Sequence, residues 1–108
     1  MKRIGWPALV GIAVISACVS AFAANVTVAQ KDVEFQPSRI SIRVGDTVTF
    51  VNQDRFGHNV FSVTTGGEFD IGLQAAGQQN AVTFRRAGTF EVLCHIHPKM
   101  RLEIVVAP

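Results

Sequence analysis

Donor atoms that bind transition metals are concentrated in two short stretches of this sequence. Near the C-terminus, CHIHPKM places Cys94, His97 and Met100 at intervals of three residues. Earlier in the chain, FGHNV contributes His58. Thiolate, imidazole and thioether groups favour copper, and two histidines, one cysteine and a weak axial methionine make up the type 1 copper arrangement. These residue types therefore predict a copper site if the fold brings His58 to the C-terminal stretch.

Each of the four residues also has an ordinary structural interpretation. Cys94 could be an inert buried thiol, Met100 could be core filler at the start of a strand, and His58 could be a turn histidine. The metal interpretation is favoured because all four residues fit one coordination template.

His95 lies directly after Cys94 and is outside this template. Side chains alternate along a strand, so His95 should turn away from Cys94 toward solvent. A solvated surface histidine is therefore favoured. Alternatively, His95 could bind a second metal, transfer copper into the site or take part in docking.

The N-terminal segment has the pattern of a secretory signal peptide. A basic start precedes the apolar run 4–17, and Ala21 and Ala23 form a small-residue cleavage site. The run is too short to cross a bilayer comfortably, so a retained transmembrane helix is disfavoured. The sequence predicts a signal peptide at 1–23 and a periplasmic mature domain at 24–108, with no membrane span in the mature chain.

Lipidation is an alternative for the same segment. The stretch ISAC, which ends at Cys18, loosely resembles a bacterial lipobox, in which the lipidated cysteine becomes the new N-terminus. The residues that follow are apolar rather than a polar tether, so we expect cleavage after Ala23 and soluble export.

Cleavage would change both the charge and the cysteine content of the chain. The chain has 10 basic and 8 acidic residues, and the loss of Lys2 and Arg3 leaves 8 of each. No basic run survives, which argues against binding to nucleic acid or to an anionic membrane. Cys94 becomes the sole thiol in an oxidising compartment where cysteines usually pair, so a metal is the expected occupant.

Seven short strand-like runs, separated by turn residues, follow the predicted cleavage site. No helical pattern of useful length accompanies them, and the even spacing predicts an all-β antiparallel sandwich of one domain, which we expect to be monomeric. The predicted strands are 25–30, 39–44, 47–52, 58–63, 80–86, 89–94 and 100–106.

Alternation along the last two predicted strands indicates where the sulfur atoms point. Cys94 ends the inward row of one strand and Met100 begins the inward row of the next, so both sulfurs should face inward at the same end of the sandwich. A sandwich gathers its end loops, which allows His58 to join them. The same rule predicts that the core contains Ile40, Ile42, Val44, Val48, Phe50, Val82, Phe84 and Phe90.

These stretches resemble the cupredoxin family. The loop from Cys94 to Met100 is similar to the short Cys-x-x-His-Pro-x-Met loop of the amicyanins within that family, and AGTFEVLC resembles the strand that leads to the cysteine. GDTVTFVNQDRFGHNV resembles the segment that brings the family's first histidine. The resemblance spans about residues 31–106, and the chain departs from the family at His95, where a residue that does not bind metal is usual.

The resemblance implies a Greek-key β-sandwich that acts as a one-electron carrier with one type 1 copper. His58, Cys94 and His97 would be the strong ligands and Met100 the weak axial one. Asn59 would tie its own loop to the cysteine loop. By the same precedent, the redox partners would be a c-type cytochrome or a dehydrogenase. The edge of His97 would be exposed within an apolar collar formed by Phe56, Gly57, Ile96 and Pro98.

Two other classes of function fit the sequence less well than electron transfer does. A non-redox copper chaperone or scavenger often has open sites rich in methionine or histidine, and here Met100 is the only methionine besides the initiator. An enzyme is disfavoured because the protein would fill all four metal positions, whereas a catalytic metal keeps one open.

Overall fold

The computed structural model describes Gly5 and residues 22–108. The predicted signal peptide therefore lies outside the described residues except at Gly5, Phe22 and Ala23, and Cys18 lies outside them as well. Within the described part, the chain forms nine strands and no helix, which confirms the all-β prediction. No helix in this part is long and apolar enough to cross a membrane. The strands are β1 (Asn25–Lys31), β2 (Glu34–Gln36), β3 (Arg39–Arg43), β4 (Thr47–Asn52), β5 (His58–Ser62), β6 (Phe69–Gln74), β7 (Gln79–Thr83), β8 (Gly88–Leu93) and β9 (Arg101–Ala107).

Two packed sheets make up the sandwich. One has the strand order β2-β1-β4-β7 and the other has the order β3-β9-β8-β5-β6. Most neighbouring strands are antiparallel, as predicted, but β1 pairs with β4 and β3 pairs with β9 in parallel. All seven predicted strands are present, while β2 and β6 were not predicted. β2 has only three residues, and β6 is interrupted by Gly72, which has a φ of 75°.

Strand pairing brings the two donor stretches to one end of the sandwich. The β8–β9 ladder ends at the pair Leu93↔Arg101, so Cys94 and Met100 lie just beyond it in the connecting loop. β5 lies beside β8 through the pair Phe61↔Leu93, and β5 begins at His58. The start of β5 and the end of β8 are therefore neighbours.

The core follows the predicted alternation with two exceptions. Cys94 and Met100 are both buried within it. Val44 was predicted to face the core but is exposed, because β3 ends at Arg43 and Val44 already belongs to the turn. Val82 is only partly buried. The buried apolar residues are Val28, Phe35, Ile40, Ile42, Val48, Phe50, Val60, Phe84, Phe90, Val92, Cys94, Met100, Leu102, Ile104 and Val106.

A buried asparagine fixes the loop that leads to His58. The Asn52 side-chain Nδ2 donates hydrogen bonds to the carbonyl oxygens of Phe56, at 2.9 Å, and of Gln74, at 3.2 Å. Its Oδ1 accepts a hydrogen bond from the backbone N–H of Asp54 at 3.0 Å. Asn52 has no exposed surface, so these bonds form where water cannot compete for them. The loop 53–57 is thereby attached to both its own strand and β6.

Candidate metal centre

Three of the four predicted donors come together at this end of the sandwich. One donor atom from each of His58, Cys94 and His97 lies within 4.8 Å of the others. The Nδ1 atoms of the two histidines are 3.1 Å apart, and Sγ of Cys94 lies 3.9 Å from Nδ1 of His97. Among the described residues, this is the one group of three or more histidine, cysteine or acidic side chains arranged to hold a metal.

Met100, the fourth predicted donor, is buried beside this group of residues. It directly precedes β9 and is 1% exposed. Its backbone N–H donates a hydrogen bond to the carbonyl of His97 at 2.9 Å, which closes the turn between the two residues. Its place in the chain and its burial suit an axial ligand. That its sulfur binds the metal stays a prediction.

The His58 ring is oriented by a carboxylate that the sequence analysis missed. Nε2 of His58 lies 2.7 Å from Oδ2 of Asp54, and the His58 side chain is fully buried. A proton on Nε2 satisfies the carboxylate and leaves the lone pair of Nδ1 facing His97 and Cys94. The signal in the sequence is an acidic residue four positions before the histidine in a short loop. On its own, that spacing is too common to identify Asp54.

Asp54 in turn connects the site to the turn between β1 and β2. Its carboxylate accepts hydrogen bonds from the backbone N–H groups of Asp32, at 2.8 Å, and Val33, at 3.1 Å. Both residues have positive φ angles, which are unfavourable for a β-branched residue such as Val33. Burial alone raises the pKa of Asp54. The hydrogen bonds from His58 and from the two amides outweigh that effect, so the pKa of Asp54 lies below its ordinary value.

The sulfur of Cys94 receives a backbone hydrogen bond from the other donor stretch. The N–H of Asn59 lies 3.3 Å from Sγ, in a contact that is completely buried. Oδ1 of Asn59 accepts a hydrogen bond from the backbone N–H of His95 at 3.3 Å. Such donors stabilise a thiolate over a thiol. The structure thus confirms that Asn59 ties its loop to the cysteine loop.

His95 points away from this group of donors, as strand alternation predicted. Its ring is exposed and stacks on the ring of Phe61, with centroids 3.5 Å apart and an interplanar angle of 2°. Nε2 of His95 lies 3.3 Å from Oδ2 of Asp70. His95 therefore belongs to a surface contact with β5 and β6 rather than to the donor group.

The donor set fits copper. Two imidazole nitrogens and one cysteine sulfur converge, with His58 and Cys94 buried and His97 partly buried. Thiolate with imidazole suits both common oxidation states of copper. Cys94 is a free thiol, the only cysteine among the described residues. A buried thiolate without a bound cation would be costly, so the arrangement favours an occupied site.

A comparison with protein families decides the identity of this arrangement. The family model described as copper binding proteins of the plastocyanin/azurin family matches residues 22–107. The chain belongs to this family. Copper is therefore the cofactor, and His58, Cys94 and His97 are positioned as a type 1 copper site.

Individual members of the plastocyanin/azurin family show how far the similarity extends. Amicyanin from Paracoccus denitrificans is 34% identical over 76 residues, which is 68% of this chain and 58% of that protein. Methylamine utilization protein MauL from Methylorubrum extorquens is 33% identical over 69% of this chain and 67% of its own. The chloroplastic plastocyanin of Tetradesmus obliquus is 31% identical over 90% of this chain and 74% of its own. The alignment thus spans less than two thirds of the length of the first of these relatives.

Solved structures agree with the assignment to this family. A mutant of amicyanin in the Cu(I) state superimposes with a TM-score of 0.70 at 29% identity, covering 76% of this chain and 81% of that one. The Cu-containing nitrite reductase from Thermus scotoductus SA-01 gives a TM-score of 0.72 at 30% identity. That match covers 78% of this chain but only 22% of the reductase, so the likeness is to one part of the enzyme.

We expect copper affinity to depend on the contact between Asp54 and His58. Replacing Asp54 with asparagine removes the carboxylate that holds the His58 ring, so copper affinity should fall about 10- to 100-fold. Competition with a Cu(I) chelator of known affinity measures the change.

Asp32→Asn is the matched control for Asp54→Asn, because it removes a carboxylate in the same region. Only the backbone N–H of Asp32 contacts Asp54, and asparagine tolerates a positive φ. The Asp32 variant should keep its affinity. Equal losses in the two variants would show that charge, and not the contact with His58, is responsible.

Proposed function

We propose that this protein is a periplasmic one-electron carrier that binds a single copper between His58, Cys94, His97 and Met100. The observation that carries the proposal is the assembly of two imidazoles and one thiol within 4.8 Å at the buried end of a sandwich. Copper, when bound, supplies a one-electron couple between its two oxidation states. The chain contributes by holding the donor side chains in place.

The donors are held so that they need not move when the charge of the site changes. His58 is fixed through Asp54, and Cys94 through the N–H of Asn59. His97 and Met100 share one turn, closed by the bond between the Met100 N–H and the His97 carbonyl. A site with fixed donors keeps the rearrangement on electron transfer small, which suits a carrier.

An apolar surface around His97 offers a place for brief docking. Phe56 and Ile96 are each 47% exposed, and the Phe56 ring lies 5.5 Å from the His97 ring. Leu73 is 74% exposed and approaches Gly57, so it extends the predicted collar. Exposed apolar groups at a partly buried ligand suit the small interfaces of redox encounters.

The proposed partners are redox proteins, a c-type cytochrome or a dehydrogenase. Support comes from the similarity to the amicyanins and to the methylamine utilization protein MauL. Periplasmic location is supported by the basic start, the apolar run and the small-residue site of residues 1–23. We propose no catalytic role, because protein side chains would fill every donor position.

A non-redox copper chaperone is the alternative, and the burial of the donors argues against it. His58 and Cys94 are 0% and 2% exposed, so metal exchange with another protein would require the end loops to open. Among the described residues, Met100 is the only methionine, so no methionine-rich entry site accompanies these donors. A carrier that keeps its copper fits this geometry better.

Addition of Cu(II) to the purified protein tests the proposal. An intense blue charge-transfer band and a narrow copper hyperfine splitting are expected from a cysteine thiolate bound in this geometry, together with a reversible one-electron wave. Cys94→Ser should lose the band. A colourless protein that binds zinc or no metal would overturn the proposal, and rapid loss of copper to a modest chelator would favour the chaperone.

The role of Met100 is tested by Met100→Leu, a swap of similar volume that the core tolerates. The axial thioether donates electron density that stabilises Cu(II) more than Cu(I), so its loss destabilises the oxidised state. The reduction potential should therefore rise by about 59 mV or more, tenfold in a one-electron equilibrium. Leu102→Met makes the reverse swap two residues along the same buried row and should leave the potential unchanged. Equal shifts in both variants would exclude Met100 as a ligand.

A further inference from the structure

A closed ring of contacts surrounds the side chain of Asn59. Nδ2 of Asn59 donates to Oδ1 of Asp70 at 2.7 Å and to the Gly72 carbonyl at 2.9 Å. Oδ1 of Asn59 accepts from the His95 N–H, and Nε2 of His95 lies 3.3 Å from the other carboxylate oxygen of Asp70. The ring joins β5, β6 and the loop after β8.

A bulge in β6 brings Asp70 into this ring. Asn59 pairs with Leu73 but Phe61 pairs with Asp70, so β6 carries one extra residue between the two pairs. Gly72 lies at this irregularity with a φ of 75°, and its N–H donates to Oδ1 of Asp70 at 2.8 Å. Bulges beside functional sites re-aim side chains. Here the bulge turns the Asp70 carboxylate toward Asn59.

The His95 ring makes two contacts, one with the Asp70 carboxylate and one with the Phe61 ring. It stacks flat on Phe61, whose backbone lies between Asp70 on one side and Leu93 on the other. The backbone N–H of His95 therefore contacts Asn59, and its imidazole contacts Asp70. Rotation of the Asn59 side chain would break its bonds to β6 and to the loop after β8 at once.

We infer that Asp70 and the His95 ring are positioning residues for the Cys94 thiolate. By fixing the Asn59 side chain, they hold the backbone N–H of Asn59 at its hydrogen-bonding distance from Sγ. The inference rests on Cys94 being the copper ligand of the proposed function. The N–H group draws charge from the thiolate, so less charge is donated to the oxidised metal. A firmly held N–H therefore raises the reduction potential, and loosening it lowers the potential.

Asp70→Ala tests this inference in two independent measurements. Hydrogen exchange of the Asn59 N–H in the metal-free protein should become about tenfold faster. In the copper-loaded protein, the reduction potential should fall by up to about 59 mV, a tenfold change in the one-electron equilibrium. Asp70→Asn keeps an oxygen acceptor for Asn59 and Gly72, so it should restore most of the protection.

Glu91→Ala is the matched control, because it removes a surface carboxylate of the same sheet that contacts only Arg101. If Glu91→Ala lowers the potential as much as Asp70→Ala does, the effect is one of charge and the inference fails. Unchanged exchange of the Asn59 N–H in the Asp70 variant would also overturn it. Failure of the wild-type protein to bind copper would refute the proposed function, and the exchange measurement would still decide whether Asp70 holds Asn59.

A separate observation concerns the predicted cleavage site. Residues 22–24 precede β1 without regular structure, and Phe22 is 92% exposed, so a peptidase can reach this segment. The backbone nitrogen of Ala24 lies 2.8 Å from Oδ1 of Asp46, whose other oxygen accepts from the Arg43 N–H at 2.9 Å. Asp46 is buried to 8% exposure. The Asp46 carboxylate thus already contacts the Ala24 nitrogen, which cleavage after Ala23 would convert to an amine.

We propose that Asp46 is the receptor for the N-terminal ammonium produced when a leader peptidase cleaves the Ala23–Ala24 bond. Hydrolysis consumes one water, leaves a carboxylate on Ala23 and gives Ala24 a protonated amine. The hydrogen bond that Asp46 accepts from the neutral Ala24 N–H becomes an ion pair between the Asp46 carboxylate and the Ala24 ammonium, so an attraction between opposite charges is added to it. Processing would therefore strengthen the start of β1, where the Ala24 carbonyl also accepts from the Thr47 N–H at 3.0 Å.

Export of the full chain from a bacterial host tests this second proposal. Intact mass and N-terminal sequencing of the product should show a chain that begins at Ala24. Its α-amino pKa, followed by NMR, should lie at least about one unit above the ordinary range, because an opposite charge is adjacent. Asp46→Asn should return that pKa to the ordinary range, while Glu103→Gln should not. A different N-terminus, lipidation at Cys18 or an ordinary α-amino pKa in the wild-type product would overturn the proposal.

Discussion

Burial of an anionic sulfur is the constraint on which the copper end of this sandwich depends. Cys94 is 2% exposed, and a thiolate there has no water to solvate it. The Asn59 N–H takes the place of that water, and copper would do so as well when bound. The N–H comes from β5 and the thiolate follows β8, so the stability of the anion requires the two strands to keep a fixed relative position.

The same requirement extends outward to the carboxylates. His58 has no exposed surface and is oriented by Asp54, which is in turn held by the amides of Asp32 and Val33. Asn59 is oriented by Asp70. His58 directly, and Cys94 through Asn59, are thus connected to acidic residues nearer the surface, where hydrogen bonds hold the pKa of each carboxylate below its ordinary value.

Sequence patterns predicted the donors better than the groups that support them. Cys94 and Met100 follow from strand alternation, which is local, and His58 follows from the need of a copper site for a second imidazole. Asp54 and Asp70 act through single contacts across loops and a bulge, and neither a run nor a period marks such contacts in sequence. Alternation also failed at Val44, because it cannot show where a strand ends. The parallel pairs of β1 with β4 and β3 with β9 depend on the order of the strands, which no single run encodes.

β5 and β8 are joined near the copper site mainly by side-chain contacts rather than by a continuous ladder of backbone hydrogen bonds. β5 and β8 share one ladder position, Phe61↔Leu93, whereas β8 and β9 share six. His58 begins β5 and Cys94 directly follows β8, and these two strands share little backbone pairing. Asn59 and the His95–Phe61 stack connect these same two strands beside the site. His95, which follows the cysteine, thus helps to connect the two strands beside the site, with its ring turned away from the donor group.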